Sequence, residues 1–119
     1  MSPKLRVCTP LAALAVLLLA PSAAEAKRCS PDQSPGAYGP TYTTAQSVKG
    51  VSCKDGVGLI KRWDKCRKRR GGKDGRCKRP GFRFRCRERR SNVIRTQYDG
   101  KVTCKRGRNR VIFRYTQFT

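Results

Sequence analysis

The chain contains no histidine, a single tryptophan and only seven acidic residues among 119. Without histidine, no side chain has an unperturbed pKa that lets it gain and lose a proton near neutral pH. The acidic residues are scattered, so no pair has a spacing that would bring two carboxylates together in a cleft. These absences argue against an enzyme. We expect no catalytic residues, no cofactor and no small-molecule substrate.

The sequence also lacks an apolar run long enough to cross a membrane. Its most hydrophobic stretch, residues 11–20, is about half of the roughly 20 residues that a membrane-spanning helix requires. Basic residues precede this stretch and an Ala-Glu-Ala sequence follows it at residues 24–26, an order typical of a secretory signal peptide. We therefore predict that residues 1–26 are removed on export. The mature chain would begin at Lys27, carry no transmembrane segment and be extracellular or held at the cell envelope.

Cysteines are spaced widely through the predicted mature chain. Their even number in a small exported protein indicates a disulfide framework. Zinc is disfavoured because no two of these cysteines are close in sequence and histidine is absent. One pairing is predicted, Cys66 with Cys77, which would join the end of a helix to the loop after it; the other four partners stay open. The framework consists of Cys29, Cys53, Cys66, Cys77, Cys86 and Cys104.

The chain is short and strongly basic, with a net charge of +22. Such a length supports one domain with a small hydrophobic core, and repulsion among the charges lowers its stability further. Each disulfide typically contributes about 2–4 kcal/mol. We therefore expect the disulfides to be essential to the fold.

Composition divides the predicted mature chain into two parts. Residues 27–47 are rich in proline, glycine, serine and threonine and have almost no aliphatic side chain, which predicts an extended arm. Residues 48–119 contain the regular hydrophobic patterns. They are predicted to form the basic, disulfide-bonded domain.

One amphipathic helix is predicted at the start of this domain. Ser52 and Asp55 have the spacing of a capping box, and apolar residues then recur at steps of three and four as far as Cys66. Basic residues gather near the end of this pattern, and Gly71-Gly72 stops it. Trp63 is interpreted as a core residue of this helix.

Three strands are predicted after the helix. Alternating patterns run through residues 82–87, 96–105 and 111–115. A hairpin turn is predicted at residues 106–109, and Asp99-Gly100 is interpreted as a turn or bulge. The predicted fold is α+β, with one amphipathic helix packed on a three- to four-stranded antiparallel sheet and stapled by disulfides. Its inner face would collect Val57, Ile60, Trp63, Phe82, Phe84, Val102, Val111 and Phe113.

Several short elements lie between residues 51 and 115: Val51-Ser52-Cys53, Trp63, Cys66, Cys77, Gly81-Phe82, Cys86, Val102-Thr103-Cys104-Lys105-Arg106-Gly107 and Val111-Ile112-Phe113. Together they resemble a pattern found in small secreted cysteine-containing proteins of actinobacteria. The resemblance implies an exported, disulfide-bonded fold, and it carries no catalytic or binding residues.

Basic residues are concentrated after residue 60, and four arginines there alternate with apolar or acidic residues. On a strand these arginines would share the outer face, where like charges repel one another. Arginine also binds phosphate and carboxylate groups through two hydrogen bonds. We therefore predict contact with an anionic polymer or surface, such as cell wall, acidic polysaccharide or nucleic acid. The candidate anion-binding residues are Arg83, Arg85, Arg87 and Arg89, extended by Arg95 and Arg114.

Two alternative functions stay open. The protein would be a structural or interaction module of the cell envelope if the charged surface serves only solubility. A membrane-active cationic protein ranks third, because the single helix is expected to use its apolar face against the sheet. The sequence does not indicate an oligomeric state.

Overall fold

The computed structural model describes residues 3–4 and 25–119, so most of the predicted signal peptide, residues 1–26, lies outside the described residues. The described part confirms the α+β class, with one helix packed on a five-stranded antiparallel sheet. The order of strands across the sheet is β1-β2-β5-β4-β3. The elements are β1 (Lys27–Cys29), β2 (Tyr42–Lys49), α1 (Cys53–Gly71), β3 (Arg85–Ile94), β4 (Gln97–Arg106) and β5 (Asn109–Phe118), and a short 3-10 helix (Gly72–Asp74) follows α1.

Among the described residues, no helix is both long enough and apolar enough to pass through a membrane.

The prediction of three or four strands was wrong, because residues 27–47 supply sheet strands where an arm was expected. β1 and most of β2 lie in this segment, and β2 pairs with β5. The side chains that β2 buries include Thr43, Gln46 and Val48, two of which are polar. Hydrophobic and polar residues therefore do not alternate along β2, although buried and exposed residues do, and the sequence pattern does not reveal the strand.

The helix follows the sequence pattern closely. The backbone N–H of Asp55 donates to the Ser52 hydroxyl over 3.0 Å, which caps the first turn. At the other end Gly72 adopts a φ of 64°, where a side chain would be strained. Leu59, Ile60 and Trp63 are buried on the face toward the sheet.

The core lies between α1 and the inner face of the sheet. The Trp63 ring centroid is 5.1 Å from those of both Phe113 and Tyr115, and Tyr98 and Val48 are also buried. This aromatic cluster supplies the main hydrophobic contact between the helix and the sheet.

Phe82 was predicted to be a core residue and is instead 54% exposed. Phe82 and Arg83 have φ values of 53° and 62°, and they form a turn before β3 begins. The strand alternation therefore starts two residues later than the sequence suggests. Val57 is only half-buried.

Asp99-Gly100 is neither a turn nor a bulge; both residues lie within the regular pairing of β4 with β5. A Cβ atom on Gly100 would come within 2.2 Å of the Tyr115 ring, so glycine is required there by close packing. The hairpin turn predicted at residues 106–109 is confirmed, and Gly107 adopts a φ of 57° in it.

Three disulfides join the elements, and the predicted Cys66–Cys77 bond is among them. It ties the last turns of α1 to the loop before β3. Cys29–Cys53 connects β1 to the first residue of α1. Cys86–Cys104 links directly opposed residues of β3 and β4. The disulfides therefore hold the helix at both ends and one hairpin within the sheet.

Candidate anion-binding surface

Alternate residues of β3 point to opposite faces of the sheet. Cys86 faces α1 and is buried, whereas Arg85, Arg87 and Arg89 are exposed on the outer face. Three of the predicted anion-binding residues are thus brought together, as the sequence alternation indicated.

Pairing between strands extends this arrangement across the sheet. Arg85 lies opposite Lys105, Lys105 lies opposite Arg110, and Arg110 lies opposite Lys49. Neighbouring strands are about 4.8 Å apart. Four basic residues on four different strands therefore form one row.

A second row is built in the same way. Arg89 lies opposite Lys101, and Lys101 lies opposite Arg114. Between the two rows lie Arg87 on β3 and Arg28 on β1. We call the whole set the outer cationic surface: Arg28, Lys49, Arg85, Arg87, Arg89, Lys101, Lys105, Arg110 and Arg114.

Two of the six predicted arginines lie apart from these rows. Arg83 belongs to the turn before β3, and Arg95 lies in the turn between β3 and β4. Sequence analysis missed the five remaining members of the surface, because their position depends on the register between strands. The missed residues are Arg28, Lys49, Lys101, Lys105 and Arg110.

None of the ion pairs or side-chain hydrogen bonds found among the described residues involves a member of the outer cationic surface. The two acidic residues that form ion pairs, Asp64 and Glu88, have side chains only 6% and 5% exposed on the helix side of the sheet. Asp64 pairs with Arg67 and Lys68, at 2.7 and 2.8 Å. The outer cations thus form no ion pair in the described part of the chain, although the Asp99 carboxylate lines a pocket together with Lys101 and Arg114.

Arg67 shows the opposite behaviour and is fully buried. Its guanidinium donates to Asp64 Oδ1, to Gln117 Oε1 and to Tyr98 Oη, over 2.9, 2.6 and 3.2 Å. It also lies 4.8 Å from the Trp63 ring centroid. In the sequence this arginine is one of the basic residues near the end of the helix; the structure makes it a hydrogen-bonded core residue.

A second buried polar group lies beneath β3. The Glu88 carboxylate forms an ion pair with Arg90 and accepts a hydrogen bond from the Tyr115 hydroxyl over 3.0 Å. Arg90 also donates to the carbonyls of Asp74 and Gly75, over 2.9 and 2.8 Å. These contacts fix the loop after α1 against the sheet.

Asp99 is an acidic residue on the outer face, beyond the second row. Its carboxylate oxygens accept hydrogen bonds from Asn92 Nδ2 over 2.8 Å and from Thr116 Oγ1 over 2.7 Å. These two bonds hold the pKa of Asp99 below its ordinary value. The carboxylate is held at the end of the sheet by neutral partners.

A groove of about 430 Å³ crosses the outer face between β1, β2 and β5. Its lining includes Ala45, Ser47 and Ile112 on the outer face and also basic residues. The basic residues are Arg28, Lys101 and Arg114. The groove therefore offers concave contact area next to positive charge.

Within the described part of the chain, no three histidine, cysteine, aspartate or glutamate side chains lie close enough together to hold a metal ion. Comparison with protein-family models, with curated proteins and with solved structures gave no match.

Proposed function

We propose that the protein has a binding function and that it attaches to anionic polymers or surfaces through the outer cationic surface. The observation that carries this proposal is the contrast between the two faces of the sheet. Inner arginines are satisfied by carboxylates, carbonyls and aromatic rings, whereas the outer cations have no such partners among the described residues. Like charges opposite one another on adjacent strands repel, so a bound polyanion would remove an unfavourable interaction.

The surface favours recognition of charge over recognition of bases. No aromatic side chain lies among the rows of basic residues, whereas proteins that bind single-stranded nucleic acid present aromatic rings for base stacking. Trp63, Phe113 and Tyr115 pack inside the core, and Phe118 on the outer face lies against Tyr42, beyond the basic rows. We therefore expect contacts with phosphate, sulfate or carboxylate groups, strong dependence on salt, and little sequence selectivity.

A defined polyanion tests this proposal. Binding to a short DNA duplex is measured over a range of salt concentrations for the wild type and for the variant Arg87→Gln/Arg89→Gln/Arg114→Gln. The slope of log K against log salt should become shallower by about 0.9 for each phosphate that the variant no longer neutralises. The variant should therefore show a shallower slope and weaker binding at low salt.

A matched control removes the same number of charges from the exposed face of α1, as Lys61→Gln/Lys65→Gln/Arg69→Gln. These residues form no ion pairs within the described structure. The control should retain a slope close to that of the wild type. Equal effects of the two variants would mean that net charge alone drives binding, and the outer cationic surface would then have no special role.

We also propose that the chain is exported and oxidised. The signal-peptide pattern of residues 1–26 and the three disulfides support this proposal, because disulfides persist in oxidising compartments. Intact mass should show a chain that begins at Lys27. Without prior reduction, alkylation should add nothing to it. An uncut cytosolic chain whose cysteines are all alkylated would contradict the proposal.

A further inference from the structure

The end of the sheet beside the turn between β3 and β4 exposes apolar side chains, of which pairing places Ile94 and Phe118 on the outer face and leaves Val93 exposed beside them. Val93 is 67% exposed, Ile94 60% and Phe118 43%. Ile94 lies opposite Gln97, and Gln97 lies opposite Phe118. Ile94 and Phe118 therefore share a row on the outer face. We call Val93, Ile94 and Phe118 the apolar end.

One polar row, made of Ser91, Asp99, Thr116 and Tyr42, lies between the apolar end and the second row of basic residues. Along β4 the row that contains Gln97 is separated by four residues from the row that contains Lys101, which is about 13 Å. Arg95 lies in the turn beside Ile94 and adds a cation at the apolar end itself. The outer face thus carries Ile94 and Phe118 at one end, a polar row with Asp99 next to them, and the rows of basic residues beyond it.

We propose that this face docks on a lipid bilayer with anionic headgroups. The outer cationic surface lies over the headgroups, and the side chains of the apolar end enter the boundary between headgroups and acyl chains. The inference rests on the proposed function and identifies its target as a lipid surface. Charge and hydrophobic contact combine here as they do for amphipathic helices at membrane interfaces, with a sheet face in place of a helix face.

Charge and size both favour a bilayer over a protein partner. A second copy of this chain would bring its own basic residues against Arg89, Arg95 and Arg114, and the chain has a net charge of +22. Three apolar side chains are also far too few for a stable protein interface, which buries about 1,200–2,000 Å². A membrane requires only partial burial of those side chains, because each basic residue near an anionic surface strengthens binding about fivefold.

Vesicle binding tests the inference. Sedimentation with vesicles is measured for phosphatidylcholine alone and for phosphatidylcholine mixed with phosphatidylglycerol. The wild type should bind only the anionic vesicles. The variant Val93→Thr/Ile94→Thr keeps β-branched side chains in the strand and should bind them about tenfold more weakly, through loss of apolar burial. Its affinity for the DNA duplex should stay unchanged.

Phe82→Asn provides the control, because Phe82 is exposed outside the sheet and lies against Arg62, and asparagine tolerates its positive φ. It should bind anionic vesicles like the wild type, and circular dichroism should show that both variants are folded. Wild-type vesicle binding that Val93→Thr/Ile94→Thr leaves unchanged would overturn the inference.

Two further results separate this inference from the proposed function. Binding to the duplex without binding to anionic vesicles would overturn the lipid assignment and leave the proposed function standing. Failure to bind either probe would overturn both. Dimerisation of the wild type that the Val93→Thr/Ile94→Thr variant abolishes would assign the apolar end to a second copy and also overturn the inference.

Discussion

Arg89 and Arg90 are neighbours in sequence and have opposite roles. Arg89 is exposed on the outer face, whereas Arg90 pairs with Glu88 and binds two carbonyls of the adjoining loop. Arg67 and Lys68 both pair with Asp64 but differ in burial, since Arg67 is fully buried and the Lys68 side chain is 45% exposed. Two adjacent basic residues can therefore differ completely, one stabilising the core and the other being available to bind a ligand.

Tyr115 gives a prediction at the scale of a single residue. Burial, the hydrogen bond with Tyr98 and the nearby Glu88 carboxylate raise the pKa of Tyr115 well above its usual value of about 10. Its contribution to stability is therefore complete below the unfolded pKa, near 10, and is lost as the pH rises further, because the unfolded state then releases the proton more readily. We expect Tyr115 to stay un-ionised for as long as the protein is folded.

An absorbance titration of tyrosinate measures this directly. Tyr115→Phe should leave the tyrosinate signal of the folded protein unchanged at alkaline pH. In denaturant the variant should lose about one quarter of the signal, because the chain has four tyrosines. A smaller signal in the folded variant at the same pH would show that Tyr115 titrates in the native state.

At the scale of elements, the sequence predicted the features that depend on residues close together in the chain. The cap at Ser52, the helical spacing of apolar residues and the glycines after Arg70 are all local, and α1 has the predicted limits. β2 escaped prediction because it buries Thr43 and Gln46, whose polar side chains give no hydrophobic alternation. Its place in the sheet depends on β5, which lies more than sixty residues later in the chain.

The candidate site divides in the same way. Alternation within β3 predicted that Arg85, Arg87 and Arg89 share a face, and they do. The rows across the sheet depend on strand register, which is set by the hairpin turns and by contacts distant in sequence. Arg83 was misplaced because a turn with positive φ values interrupts the alternation just before β3.

At the scale of the whole molecule, folding gathers basic residues that are unpaired within the described structure on one face of the sheet and pairs others with carboxylates on the opposite face. Asp64 and Glu88 are enclosed between the helix and the sheet, while basic residues on several strands are gathered on one outer face. This arrangement concentrates repulsion that the unfolded chain would disperse. The three disulfides offset it, because each restricts the unfolded chain by about 3 kcal/mol for loops of these lengths.

Salt should therefore have opposite effects on binding and on stability. Added sodium chloride screens repulsion within the outer cationic surface, since the Debye length falls from about 10 Å at 0.1 M to about 3 Å at 1 M. The melting temperature of the wild type should rise with salt, while its affinity for a polyanion falls.

Arg87→Gln/Arg89→Gln/Arg114→Gln should melt a few degrees higher than the wild type at low salt and respond less to added salt. The helix variant Lys61→Gln/Lys65→Gln/Arg69→Gln should change the melting temperature less, because relief of repulsion between residues four apart on the helix is offset by loss of the favourable charge of Arg69 at the helix C-terminus. A lower melting temperature for the outer-face variant at low salt would mean that these arginines stabilise the free protein. There would then be no unfavourable repulsion for a bound polyanion to relieve.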